Sequence, residues 1–122
     1  MCIYSEFCGK GVAIEHDGAV YSCDHYVYPE YRLGRIAETA LADMVFSPAQ
    51  IRFGFAKADT LPKFCQECAF LRDCWGECPK NRFIRAPDGE AGLNYLCSGL
   101  QKFFKHATPT AERMARSIRT GF

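Results

Sequence analysis

Residues 11–23 alternate between apolar and polar positions, the pattern of a strand that buries one face. The alternation is interrupted at Asp17-Gly18, a pair that supplies the positive φ angles of a tight primed turn. We therefore predict a β-hairpin over 11–23. Its second strand leads to Cys23, so the hairpin would place that side chain rigidly.

Two helices are predicted after this hairpin. Residues 24–36 are rich in aromatic side chains and contain proline and glycine, which favours an ordered loop over a helix. A short helix is predicted over about 38–46. Ser47-Pro48 then provides the residue types preferred at the N-cap and first helical position, so a second helix should run from there through about Ala58.

Periodicity is nearly lost in residues 61–94, where cysteine, proline, glycine and charged residues dominate. Such a segment buries little apolar surface, so we expect bound metal rather than packing to shape it. Apolar residues then recur every three or four positions over 93–104, which predicts a helix with Cys97 on or beside its apolar face. Thr108-Pro109 is expected to end that helix and to cap a last one.

These segments together predict an α+β fold. It is a small metal-scaffolded domain with an N-terminal β-hairpin, a cysteine-rich irregular middle and C-terminal helices. The 122 residues fit one domain, and chains below about 150 residues bury less than about 70% of their unfolded surface. We place this domain at 1–107 and a C-terminal helical extension at 108–122.

Charge and hydropathy argue against two classes of partner. Lys and Arg number 15 against 14 Asp and Glu, a net charge of +1, so neither nucleic acid nor an anionic membrane is favoured. No apolar run approaches the roughly 20 residues that span a bilayer, and the first residues lack a signal-peptide pattern. We expect a cytoplasmic protein, in whose reducing surroundings cysteines favour metal over disulfides.

Cysteines are the most informative residue type in this chain, which contains eight of them. They are Cys2, Cys8, Cys23, Cys65, Cys68, Cys74, Cys78 and Cys97. The central four follow the spacing C-x2-C-x5-C-x3-C. In compact runs of this kind the last cysteine often ligates a second 4Fe-4S cluster. That rule assigns Cys78 to one cluster with Cys2, Cys8 and Cys23, and assigns Cys65, Cys68, Cys74 and Cys97 to the other.

Two zinc sites with four thiolates each are the competing interpretation of the same cysteines. Zinc ribbons usually carry two C-x2-C pairs, whereas this chain has only one, at Cys65 and Cys68. In both interpretations the sites are closed, because thiolates fill every coordination position of the metal that the protein could leave open. A closed cluster suits electron transfer or structural support better than direct binding of a substrate.

The cysteine pattern resembles that of SPASM domains, which lie at the C-terminal end of radical SAM enzymes that modify peptides and proteins. The family spacing is met by Cys2, Gly18, Cys23, Cys65, Cys68, Cys74, Cys78 and Cys97, with Cys8 as an additional ligand. Within that family the chain most resembles anaerobic sulfatase-maturating enzymes. The segments that carry this likeness are CGKGVAIEHDGAVYSCDHYVYPEYRLGRI and NYLCSGLQKFFKH.

The resemblance implies a function and a catalytic residue. Enzymes of this type use S-adenosylmethionine to oxidise a sulfatase cysteine or serine to Cα-formylglycine, and an aspartate directly after the third cysteine is thought to deprotonate the substrate. Here that residue is Asp24, whose pKa we expect desolvation and cluster charge to raise. The alternative is an exposed Asp24 that caps a turn. His25 is expected to be structural rather than a ligand.

One departure from the family limits the predicted activity. Radical SAM enzymes hold S-adenosylmethionine on a cluster bound by C-x3-C-x2-C, and this chain contains no such triplet. We expect an auxiliary domain with two 4Fe-4S clusters, present as a fragment or split gene product. Its partners would be a radical SAM barrel, which would hold the S-adenosylmethionine, and a sulfatase peptide. The alternatives are a stand-alone two-cluster electron carrier or docking subunit, and a zinc-binding interaction module.

Overall fold

A three-stranded antiparallel sheet forms the N-terminal part of the computed structural model, which describes residues 2–120. A 3-10 helix, Cys2–Tyr4, precedes the sheet. The strands are β1 (Ala13–Ile14), β2 (Ala19–Tyr21) and β3 (Arg32–Arg35), in that order across the sheet. Ala13 pairs with Tyr21 and Ile14 with Val20, so the predicted hairpin is confirmed.

The hairpin turn differs from the predicted primed turn. The Glu15 amide donates to Ala19 O at 2.9 Å, and the Gly18 amide donates to Glu15 O at 2.9 Å, which leaves a three-residue loop at 16–18. Gly18 has a φ of 81°. Within residues 2–120 the residues other than glycine with positive φ are Trp75 and Glu77, so Gly18 is the left-handed residue of this loop. Only one left-handed residue is needed, because a type I turn followed by a left-handed glycine also closes a hairpin.

Strand β3 lies in the segment predicted to be a loop. A 3-10 helix, Pro29–Tyr31, leads into it, and β3 pairs with β2 through Val20 and Gly34. Gly34 serves here as a close-contact residue, since a Cβ at this position would lie 2.8 Å from Met44 Sδ. The glycine that suggested a loop therefore allows Met44, only 1% exposed, to pack on the strand.

Two helices follow the sheet, α1 (Leu41–Val45) and α2 (Pro48–Asp59), both within the predicted regions. Ser47 caps α2 as predicted, because its hydroxyl accepts a hydrogen bond from the Gln50 amide at 3.2 Å. The inward face of α2 carries Gln50, Gly54 and Lys57, all buried. This face is polar, so α2 is attached by hydrogen bonds to main-chain carbonyls more than by apolar contact.

The cysteine-rich middle contains only short elements, in agreement with the prediction. They are α3 (Lys63–Gln66), α4 (Leu71–Cys74), a 3-10 helix at Pro79–Asn81, and the two-stranded sheet of β4 (Ile84–Arg85) and β5 (Ala91–Leu93). A small core joins them, formed by Leu61, Cys65, Ala86 and Leu93 with Phe64, Leu71, Trp75 and Cys97 packed around it. Cysteine side chains are thus part of the apolar core.

The last helix, α5, spans Cys97–Thr120 without interruption, which corrects two predictions. It begins at Cys97 and not at 93, and it does not end at Thr108-Pro109, because Pro109 lies inside it. A proline removes one amide donor from the helix and leaves the carbonyl of Lys105 without it. Lys105 and Pro109 are exposed, so water can bond that carbonyl. The boundary at 107/108 stays a prediction. Within residues 2–120 no helix is long and apolar enough to cross a membrane.

Replacing Gly54 by alanine is expected to destabilise the fold by about 1–3 kcal/mol, because the added methyl overpacks a tight contact. The new Cβ would lie 2.6 Å from Cys8 O, which belongs to main chain and cannot rotate away. Gly99→Ala is the matched control, since it also lies in a helix and its Cβ would meet nothing within 4 Å. The control should gain about 0.5–1 kcal/mol. Guanidinium unfolding followed by circular dichroism measures both, and equal stability of the two variants would contradict the prediction.

Candidate metal centres

The eight cysteines form no disulfide, and the thiols that act on one another electrostatically fall into two sets of four. The first set is Cys2, Cys8, Cys23 and Cys78. Cys2 opens the N-terminal 3-10 helix, and Cys8 is held against α2, because its amide donates to Gly54 O at 3.2 Å. Cys23 follows β2, and Cys78 caps the 3-10 helix at Pro79–Asn81.

Mutual electrostatic effects show that the first four thiols are neighbours. Burial raises the pKa of Cys8, Lys57 opposes this rise, and negative charge on Cys2 and Cys78 adds to it. The pKa of Cys23 is raised to about 11, mainly by burial, and Cys78 contributes to that rise. Each of these thiols therefore lies in the field of at least one other member of the set.

The second set lines a mostly apolar cavity between α3, α4 and α5, to which Asn94 and Gln101 also contribute. It consists of Cys65, Cys68, Cys74 and Cys97. Burial raises the pKa of Cys65 to about 11, and negative charge on the other three thiols adds to it, Cys97 most. Phe64, Phe70, Leu71, Leu93, Leu100 and Phe104 are among the side chains around these sulfurs. Such surroundings protect a cluster from water.

A left-handed turn separates the last two cysteines of the central run and sends them to different sets. Trp75, Gly76 and Glu77 have φ values of 47°, 64° and 54°, three successive residues in the left-handed region. The Glu77 amide donates to Cys74 O at 2.8 Å and closes the turn. Cys74 faces the second set, whereas Cys78, four residues on, lies in the field of Cys2.

Glu77 stabilises this strained turn from the inside. Its side chain is buried, and Oε2 accepts hydrogen bonds from Asn81 Nδ2 and Asn94 Nδ2, both at 2.7 Å. Asn94 also donates to Gly76 O at 3.2 Å. Left-handed conformation at residues with side chains costs about 1–3 kcal/mol each, so the network must offset that cost.

Amide groups point at several of the sulfurs. The His25 amide donates to Cys23 Sγ at 3.4 Å, and the Phe70 amide donates to Cys68 Sγ at 3.5 Å. The amide of Lys80 lowers the otherwise raised pKa of Cys78. Because N–H groups that face sulfur stabilise the thiolate form, these amides offset part of the burial that raises the pKa of Cys23 and Cys78.

Two cations accompany the thiols, a buried Lys57 and a half-buried Arg82. Neither stands out in the sequence. Lys57 is 1% exposed, and its Nζ donates to Cys2 O at 2.6 Å and Ile3 O at 2.8 Å. Arg82 donates to Trp75 O, Gly76 O and Lys57 O, at 2.7, 3.1 and 2.7 Å. A lysine in a helix and an arginine in a loop are ordinary surface residues by pattern, so only the fold reveals that Lys57 is buried and Arg82 half-buried.

Asp24 lies beside the first set and is exposed, which differs from the predicted desolvated carboxyl. Its pKa is lowered, first because the Cys23 thiol donates to Oδ1 at 3.1 Å and then because His25 is near. The expected rise in pKa is therefore wrong for the free-thiol state. His25 Nδ1 lies 3.3 Å from Cys78 Sγ, and ligand atoms of Cys23, Asp24 and His25 lie within 4.8 Å of one another.

The donor groups fit iron-sulfur clusters by their chemistry. Each set offers four sulfurs and no disulfide competes for them, while the second set is enclosed by apolar side chains. Four thiolates are the ligand set that a 4Fe-4S cluster takes. The arrangement is that of a domain built around cysteine-ligated metal clusters.

Comparison with known proteins specifies the family. The model of the iron-sulfur cluster-binding domain SPASM matches residues 2–69. The chain therefore belongs to the SPASM family of iron-sulfur cluster-binding domains, and the resemblance drawn from the cysteine spacing is confirmed.

Curated relatives and solved structures match this chain over most of its length. A serine-type anaerobic sulfatase-maturating enzyme of Bacteroides thetaiotaomicron is 48% identical over 118 residues, which are 97% of this chain and 28% of that enzyme. A cysteine-type enzyme of Clostridium perfringens is 28% identical, over 97% of this chain and 31% of that enzyme. The structure of native anSMEcpe with bound AdoMet and Kp18Cys peptide matches with a TM-score of 0.79 at 28% identity. The match covers 95% of this chain and 32% of the anSMEcpe chain. The chain spans less than a third of these relatives.

Gly76→Ala is expected to lower the iron held by both thiol sets, because the turn between them cannot accommodate a methyl group. A Cβ at Gly76 would lie 2.5 Å from Leu61 Cδ2 and 2.9 Å from Arg82 Nη2. We expect a loss of stability of about 1–3 kcal/mol together with the lost iron. Iron and sulfide per chain after anaerobic reconstitution are the measurement.

Gly89→Ala is the control for this change. Gly89 also has a positive φ, of 91°, but its Cβ would meet nothing within 4 Å. The control carries the backbone cost without the crowding and should keep its iron. Normal iron in Gly76→Ala would show that the turn does not direct the two cysteines.

Proposed function

We propose that this chain is the auxiliary domain of a radical SAM sulfatase-maturating enzyme and that it holds two 4Fe-4S clusters. Cys2, Cys8, Cys23 and Cys78 would bind the first cluster, and Cys65, Cys68, Cys74 and Cys97 the second. The observation that carries the proposal is the left-handed turn at residues 75–77, on either side of which Cys74 and Cys78 act on different thiols, Cys68 and Cys2. The similarity to sulfatase-maturating enzymes over 97% of the chain supports the assignment.

The chemistry proposed for the complete enzyme is oxidation of a sulfatase cysteine or serine to Cα-formylglycine. Removal of a hydrogen atom by the S-adenosylmethionine-derived radical and of a proton from the substrate side chain leaves one electron to be accepted. Bound clusters would supply acceptors for that electron. The barrel that binds S-adenosylmethionine would come from the rest of the enzyme or from a separate chain, since this chain has no C-x3-C-x2-C motif.

Asp24 is the residue we assign to the substrate proton. Its carboxylate is exposed and adjacent to Cys23, so a peptide docked against the first cluster can reach it. In the free-thiol state the Cys23 thiol donates to this carboxylate, and ligation of Cys23 as a thiolate removes that donor. The carboxylate oxygen is then available to a proton from outside the domain.

The cluster number and the crossed assignment can be tested by counting iron. Anaerobic reconstitution of the chain is expected to give about eight irons, with broad absorbance near about 400 nm. Cys2→Ala or Cys78→Ala alone should each remove about four irons, and the pair should remove no more, because both residues serve one cluster. The double variant Cys65→Ala with Cys78→Ala should lose nearly all of its iron, because the two residues serve different clusters.

The same measurement distinguishes the zinc alternative. A colourless chain that keeps two zinc ions after reconstitution would show a zinc-binding module instead. Equal losses for Cys74→Ala with Cys78→Ala and for Cys2→Ala with Cys78→Ala would contradict the crossed assignment, since only the first pair draws on both sets.

A stand-alone electron carrier or docking subunit is the other alternative, and the coding sequence distinguishes it. A C-x3-C-x2-C segment in frame immediately upstream would establish the chain as part of a longer radical SAM enzyme. An adjacent separate gene with that motif would establish a split enzyme. A complete gene with neither neighbour would favour the carrier.

Asp24→Asn is expected to lower product formation by about 10²–10⁴-fold, the usual range for loss of a general base, while both clusters stay intact. The assay uses a longer chain that joins this domain to its catalytic barrel, with a sulfatase peptide as substrate and mass spectrometry as readout. Asp24→Glu should restore part of the activity because it retains a carboxylate.

Asp88→Asn is the control for charge removal. Asp88 lies in the turn between β4 and β5, where its Oδ1 accepts from the Glu90 amide, and asparagine can accept the same hydrogen bond. Its activity should match the parent. Turnover of Asp24→Asn close to that of the control would exclude Asp24 as the proton acceptor.

A further inference from the structure

Lys57 is a buried cation held without a carboxylate partner in the described part of the chain. It is 1% exposed, and Nζ donates to Cys2 O and Ile3 O, at 2.6 and 2.8 Å. The ion pairs found within residues 2–120 do not include it. Because burying a charge is costly unless opposite charge is near, some anion should face it.

Arg82 is a second cation of this kind, although it is half-buried rather than fully enclosed. All three guanidinium nitrogens donate to main-chain carbonyls, of Gly76, Lys57 and Trp75. Within residues 2–120 it forms no ion pair either. Its Nη1 donates to Lys57 O at 2.7 Å, so a hydrogen bond joins the two cationic residues directly.

The negative charges that act on these cations come mainly from cysteine thiolates, and Tyr26 is a further contributor at Arg82. Burial lowers the pKa of Lys57, while negative charge on Cys8, Cys2 and Cys78 opposes that change. All three belong to the first set. Burial also lowers the pKa of Arg82, and the opposing charges are Cys65, Cys78 and Cys74, which come from both sets.

We propose that Lys57 and Arg82 are fixed countercharges that set the reduction potentials of the two clusters, Lys57 at the first cluster alone and Arg82 at both. The inference rests on the proposed cluster ligation. Four thiolates make each cluster complex anionic, and reduction adds one further negative charge. A fixed positive charge beside the cluster favours the reduced form, and solvent screens that charge weakly at buried Lys57 and more strongly at half-buried Arg82.

The two cations should therefore have different effects when neutralised. In Lys57→Met the ratio of reduced to oxidised first cluster at a fixed potential should fall about tenfold, which is about 59 mV for a one-electron couple. The second cluster should change much less. In Arg82→Met both clusters should shift in the same direction, because Arg82 faces thiols of both sets.

The experiment is a potentiometric titration followed by electron paramagnetic resonance, on the full chain reconstituted anaerobically, with iron counted in each sample. Signals are assigned in a Cys97→Ala background that lacks the second cluster. Lys57→Arg and Arg82→Lys keep the charge and should have potentials near the parent. Lys105→Met removes an exposed charge from α5 and is the matched control.

If Lys57→Met fails to bind iron, Lys57→Gln identifies the reason. Glutamine is neutral but retains an N–H donor for the carbonyls of Cys2 and Ile3. Iron restored by Lys57→Arg and not by Lys57→Gln would support the countercharge role. Iron restored by neither would show a purely structural role and would overturn it. The countercharge inference alone would also be overturned if Lys57→Met and Arg82→Met kept the iron content and the potentials of the parent. A parent chain that binds no iron would overturn both this inference and the proposed function.

Discussion

The left-handed turn at residues 75–77 is the constraint on which the rest of the molecule depends. It reverses the chain within three residues, so that Cys74 and Cys78 point into different thiol sets. A helical or extended C-x3-C segment would hold both sulfurs on one site or separate them along a strand. The turn is possible because Glu77 is bonded by Asn81 and Asn94, and because Gly76 leaves room for Leu61 and Arg82.

The domain has little apolar core and relies on polar contacts with the main chain instead. Its largest apolar cluster is small and includes Cys65 itself, with Cys97 packed against it. Gln50, Lys57 and Arg82 fix separate loops by donating to their carbonyls. Such contacts position loops accurately but bury little apolar area, which agrees with a fold that depends on bound metal for stability.

Sequence patterns predicted the elements with strong local signals. The alternation around Gly18 and the cap at Ser47 identified the hairpin and α2, and the cysteine spacing identified the family. The predictions failed where tertiary contacts decide. Gly34 was interpreted as a loop residue because its role, making room for Met44, involves a partner ten positions away. Pro109 was expected to end a helix that continues through it. The left-handed turn, the buried Lys57 and the half-buried Arg82 have no local signature, and the metal ligation stays a prediction.

Helix α2 attaches the ligand-bearing loops in a way that does not depend on the side chains of those loops. Gln50 donates to the carbonyls of Gly9 and Ser22, and Lys57 to those of Cys2 and Ile3. Every amino acid provides the same carbonyl, so residues between the cysteines can change without weakening the attachment. Substitutions in the cysteine-bearing loops should therefore weaken this attachment less than substitutions of Gln50 or Lys57 in the helix.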